Sequence, residues 1–113
     1  MKWTVQQGLD RLPGPPLPLW PQGARSTSMF RYGTLELKLY APRGDDPQQP
    51  HTRDEVYVVV AGRGRFDNDG EVLSFEAGDA LFVAAGRPHR FIDFSDDFAT
   101  WVVFYGPEGG EQP

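Results

Sequence analysis

The chain contains no cysteine. That excludes a disulfide framework, thiolate metal sites and cysteine nucleophiles, while leaving the compartment open. Basic residues are also scarce, 11 Lys and Arg against 16 Asp and Glu, for a formal net charge of −5. Only Arg63 and Arg65 sit close together, so no basic patch is available to neutralise phosphates and no nucleic-acid partner is expected. Long apolar runs are missing as well. The longest, Val56 to Ala61, falls far short of the ~20 residues a membrane-crossing helix needs. The opening Met1-Lys2-Trp3-Thr4-Val5-Gln6-Gln7 turns polar before a leader-like apolar stretch develops. No membrane association is expected, and a cytoplasmic protein is the default expectation. Histidine is almost absent too: His51 and His89 are the only two.

What remains suits one globular domain. At 113 residues, with 39% hydrophobic and 13% aromatic content, the chain can bury a core without a covalent or metal staple. Three segments differ in composition. Residues 1–25 form a proline-rich N-terminal arm, centred on Leu12-Pro13-Gly14-Pro15-Pro16-Leu17-Pro18-Leu19-Trp20-Pro21. Proline lacks an amide donor and restricts its predecessor, so this stretch is extended. Its PxxP spacings suit an aromatic-groove partner domain, but the expected role is an arm laying Leu17, Leu19 and Trp20 on the barrel or on a partner subunit. A short helical turn fits near Val5 to Leu12.

Residues 26–106 read as β throughout. Leu35, Leu37 and Leu39 alternate with Glu36, Lys38 and Tyr40, the period of a half-buried strand. Glu55 to Val60 is β-branched and aromatic, suiting a strand covered on both faces. Asn68-Asp69-Gly70 between Arg65-Phe66 and Val72-Leu73 signals a hairpin. Further short strands fit Leu81 to Val83, His89 to Phe94 and Phe98 to Tyr105, with glycine-rich turns between. Many short strands without a long amphipathic helix predict an all-β sandwich or barrel. Residues 107–113 have almost nothing to bury and are expected to be a flexible tail.

With thiolate unavailable, imidazole and carboxylate are the best transition-metal donors this chain has. His51 and Glu55 on one straight strand would lie about 13 Å apart, too far to share an ion whose ligands bond within about 2.0–2.2 Å. Val56 to Val60 is a poor helix, so the expected solution is a chain reversal at Thr52-Arg53-Asp54. His51 then ends one strand and Glu55 opens the next. Gln49 has the parity of His51 and is expected to face the same ion, while His89 arrives from a separate hairpin.

These residues resemble the cupin family, whose first motif is G-x5-H-x-H-x3,4-E-x6-G and whose second is G-x5-P-x-G-x2-H-x3-N. His51-x3-Glu55-x6-Gly62 fits the later part of the first motif, and Gly78-x5-Ala84-x-Gly86-x2-His89-x3-Asp93 fits the spacing of the second. Gln49 stands where the first histidine belongs, Ala84 replaces proline and Asp93 replaces asparagine. The resemblance is to small single-domain bacterial cupins. It implies a jelly-roll (double-stranded β-helix) barrel holding one divalent transition metal ion (Zn, Fe, Ni or Mn) through His51, Glu55 and His89, with Gln49 completing the shell. It also implies a homodimer, and oxygenase, isomerase or lyase chemistry on a small organic molecule. The alternatives are a non-catalytic module that binds or senses a small ligand, and a barrel that has lost its metal and hydrogen-bonds its histidines. Strand parity expects Tyr57, Val59 and Phe91 to line the pocket. No residue stands out as catalytic base, and no serine–histidine–acid order or phosphate loop competes.

Overall fold

In the computed structural model, which describes all 113 residues, every long β-branched or alternating run is a strand. The strands are β1 (Ser26–Tyr32), β2 (Leu35–Tyr40), β3 (Asp54–Ala61), β4 (Arg63–Asn68), β5 (Glu71–Glu76), β6 (Ala80–Val83), β7 (His89–Ile92) and β8 (Ala99–Tyr105). They form two antiparallel sheets, ordered β1-β2-β8-β3-β6 and β5-β4-β7, that face each other as a jelly roll. Asp69 and Gly70 both take positive φ, 52° and 94°, between the paired Asn68 and Glu71. That is the two-residue turn whose twist matches the strands it joins.

Period-two alternation drives the packing. Glu55, Tyr57 and Val59 on β3 are buried, as are His89 and Phe91 on β7. Between the sheets Phe66, Phe75, Phe91, Phe98, Val83 and Val102 form most of a continuous core. Gly62, which closes the first motif, sits at φ 84° where a Cβ would lie 2.7 Å from the Phe98 Cα. Only glycine satisfies both the turn and that contact.

The arm folds onto its own barrel. Helix α1 (Val5–Leu9) opens with a capping box, the Thr4 hydroxyl accepting from the Gln7 amide and the Gln7 side chain accepting from the Thr4 amide. Gly8 lets it lie on β2, since a Cβ there would fall 2.4 Å from Leu39 Cδ2. The prolines then run in a loop closed on itself by Gly14 N–H to Ala24 O at 2.8 Å and Ala24 N–H to Pro15 O at 3.0 Å. Trp20 packs against the core, whereas Leu17 and Leu19 stay 48% and 40% exposed. At the other terminus the Gly109 amide donates to Thr52 O and the Glu111 amide to Asp54 Oδ2. Polar contacts, not burial, tie these last residues to the start of β3. No helix is long and apolar enough to cross a membrane.

Candidate metal centre

His51, Glu55 and His89 meet at one end of the barrel, with one ligand atom of each lying within 4.8 Å of the others. Glu55 is the second residue of β3 and His89 opens β7, so each is placed by a strand and points inward. His51 does not end a strand as expected. It lies in an irregular stretch, held by its own carbonyl, which accepts from the Gly86 amide at 2.7 Å. The glycine of the second motif thereby fixes the histidine of the first. The His51 ring packs edge-on to Phe104, and its side chain remains 35% exposed, whereas those of His89 and Glu55 are sealed.

The glutamine that turns toward this cluster is not the expected one. Gln49 is exposed and borders a surface cleft with Pro50, Asp67 and Asp69. Its neighbour Gln48 turns inward, its Oε1 lying 3.1 Å from both His51 Nε2 and His89 Nε2. The parity that favoured Gln49 holds only within a strand. Pro47 and Pro50 bracket the two glutamines and exclude one there.

Asp46, not anticipated, decides which way Gln48 points. Its buried carboxylate accepts from Gln48 Nε2, from the Phe91 amide at 2.8 Å and from the Tyr40 hydroxyl. A carboxylate offers only acceptors, so the amide must present its NH2 to Asp46 and its oxygen to the histidines. The sequence signal was slight: an acid and two adjacent glutamines between prolines.

The atoms that converge have too few protons between them. His89 Nδ1 donates to the Arg87 carbonyl at 2.9 Å, which in the neutral ring leaves a lone pair on Nε2. That lone pair faces Glu55 Oε1 at 2.8 Å and Gln48 Oε1 at 3.1 Å, both acceptors. Glu55 Oε2 is buried with no partner. The other neutral donors are the single N–H of the His51 ring and the Tyr57 hydroxyl, the latter shared between Glu55 Oε1 and Gln48 Oε1 at 3.2 Å each. Burial, and next the nearby Glu55 charge, push this phenol well above its ordinary value, so it keeps its proton. A set of acceptors around one point is satisfied by a cation, either a second proton on His89 or a metal ion.

The two histidines respond in opposite directions. Burial pulls both down. For His89 the Glu55 hydrogen bond and the Arg87 carbonyl outweigh it, and the pKa is raised. For His51 burial wins over the pull of Glu55, helped by His89 and the Lys38 ammonium, and the pKa is lowered. His51 therefore keeps a free lone pair near neutrality, as a ligand must.

A cavity of about 250 Å³ opens beside His51 and Glu55, walled by Tyr57, Val102, Phe104 and, from the arm, Trp20. Of the expected lining residues Tyr57 is present. Val59 and Phe91 belong instead to the packed core. Each lies two residues further along its strand, about 6–7 Å deeper.

A family model described as a cupin domain matches residues 37–105. An uncharacterized protein of Streptomyces coelicolor is 41% identical over 81 residues, covering 70% of this chain and 77% of its own. The acireductone dioxygenase of Geobacillus thermodenitrificans is 36% identical over 66 residues, 52% of this chain but only 37% of the dioxygenase. A Neisseria meningitidis protein superposes with a TM-score of 0.69 over 94% of this chain and 100% of its own. At 19% identity that likeness shows the shared fold.

Proposed function

This chain belongs to the cupin family, and on that premise we propose that it holds one divalent transition metal ion and acts on a small organic molecule in the barrel cavity. His51, Glu55 and His89 are the ligands in this reading, and Gln48 takes the place expected of Gln49. The carrying observation is the convergence of two imidazole nitrogens, a buried carboxylate and an amide oxygen with no donor to satisfy them all. A mixed nitrogen and oxygen set suits Zn, Fe, Ni or Mn.

When bound, the ion supplies Lewis acidity or an oxygen-binding centre to whatever enters the cavity. The chain's own residues do the rest. His51, the exposed member, leaves the centre open toward the cavity, while His89 and Glu55 close it from below. Tyr57 holds a proton within reach of both Glu55 and Gln48. Trp20 and Phe104 limit water at the wall. The partial match to a dioxygenase supports chemistry of the oxygenase class as the first to test.

Elemental analysis of protein purified without added metal is the direct experiment, repeated after titration with Zn, Fe, Ni and Mn. The expected result is close to one ion per chain, lost in His51→Ala and His89→Ala. Failure of the parent protein to take up any of the four would overturn this reading. Oxygen consumption by the loaded protein with phenols and diketones then tests turnover. Thermal stabilisation by those compounds without turnover would favour a binding module instead.

A further inference from the structure

The cavity beside the metal centre has one charged wall that the metal reading does not use. Lys38 on β2 lines it. On the same strand face, Glu36 is already engaged by Arg31 at 2.8 Å and Arg53 at 3.9 Å. Lys38 itself has no carboxylate within the 4.0 Å of an ion pair. The register places it opposite Val102 on β8, which in turn stands opposite Tyr57 on β3. Lys38 therefore sits two strand spacings from Tyr57, roughly 9–10 Å at the backbone, on the sheet that also carries Glu55.

Charge balance makes this placement informative. The only acid lining the cavity is Glu55, which lies at the cluster. A divalent ion there and the Lys38 ammonium together outweigh Glu55 and the Asp46 carboxylate that Tyr40 and Gln48 contact behind the wall, and leave excess positive charge. Leu17, Trp20, Val102 and Phe104 supply apolar wall that lowers the local dielectric, which raises the cost of leaving that charge uncompensated. The volume, about 250 Å³, lies below the ~300–1,000 Å³ of pockets for drug-sized ligands.

We propose that the cavity selects a small organic anion, an acid with an apolar or aromatic body whose carboxylate pairs with Lys38 while its reactive end faces His51 and Glu55. Lys38 is then the residue that sets specificity. Trp20 and Phe104 cover the body of the ligand, and the carboxylate completes the charge balance. The inference deepens the reading above, because it rests on this cavity being the binding chamber.

Titration calorimetry on the full chain tests it, zinc-loaded and metal-free, with benzoate and phenylpyruvate as probes and benzamide as the neutral counterpart of benzoate. The zinc-loaded protein is expected to bind at least one of the acids, and at least tenfold more tightly than benzamide. Lys38→Met should weaken that acid by ~10–100-fold, the worth of a charge-assisted hydrogen bond, and leave benzamide unchanged. Lys38→Arg, which keeps the charge, should restore most of the affinity. An unchanged affinity in Lys38→Met, or acids that bind no better than benzamide, would overturn the proposal. Absence of zinc uptake would overturn the metal reading alone. The effect of Lys38→Met on acid binding by the metal-free protein then decides this proposal by itself.

Discussion

At one end of the barrel Phe75, Phe91, Phe94 and Phe98 pack ring on ring, with centroids 4.6–5.4 Å apart. At the other end, buried Asp46, Glu55 and His89 and half-buried Gln48 and His51 crowd their polar atoms together. The first arrangement is stable in its own right, because every ring gains by leaving water. The second is costly in isolation, since buried acceptors without donors lose hydration and gain little. Phe91 joins the two: its ring packs in the aromatic cluster and its amide binds Asp46. One end supplies stability, and the other spends part of it to gather buried acceptors around one point.

The contrast breaks most visibly at the aromatic end. Phe98 is fully buried, so Phe98→Ala should cost ~3–5 kcal/mol in chemical denaturation. Next comes metal loading, which should act only at the polar end. At a zinc concentration near 100 times Kd the parent protein should gain about 2.7 kcal/mol. His89→Ala should gain nothing, and Phe98→Ala, where it still folds, should gain as much as the parent. Gly62 follows, against Phe98 at the aromatic end. Gly62→Ala imposes a positive φ on a Cβ and pushes it against the Phe98 backbone, an expected cost of ~1–3 kcal/mol measured by thermal melting. Asp46→Asn should hardly alter stability at the aromatic end, but it lets the Gln48 amide turn over. Competition with a chelator should then show zinc affinity ~10–100-fold lower.

The smallest effect concerns acid. Asp54 is held below the usual carboxylate range by the Glu111 amide first and the Ala85 amide second. A depressed folded value stabilises above the ordinary pKa, about 4, and is lost as pH falls through the lower folded value. Asp54→Asn should lower stability near neutrality, flatten the decline below about pH 4 and converge with the parent in acid, as followed by denaturation at successive pH values. Acid melting that is identical in both proteins would remove the tail contact from the account.

Much of this was readable before the fold. The alternation at Leu35–Tyr40, the β-branched run at Glu55–Val60 and the turn at Asn68–Gly70 each carry a local period or a local dihedral demand, and each forms where expected, although Glu55–Val60 is sealed on one face only, Val58 being 37% exposed on the other. The spacing from His51 to Glu55 to Gly62 and from Gly78 to His89 located the imidazole pair and the carboxylate. Gln48 and Asp46 were not readable, because the prolines around them suspend the strand period on which a side-chain direction is argued. Val59 and Phe91 were placed on the right face but at the wrong depth, since parity tells the side of a sheet and not the distance to a cavity.

The amino-acid sequence by itself determined the all-β architecture, the inward-facing sets on each strand and the identity of the two histidines and the acid near which chemistry can occur. Those properties follow from periodicity and residue type, which are local. Only the tertiary structure decided that Gln48 rather than Gln49 joins them, that Asp46 orients it, and that Lys38 and Trp20 line one cavity with His51 and Glu55. These depend on strand pairing and on an irregular loop, where contacts between residues distant in sequence set direction and no local period does.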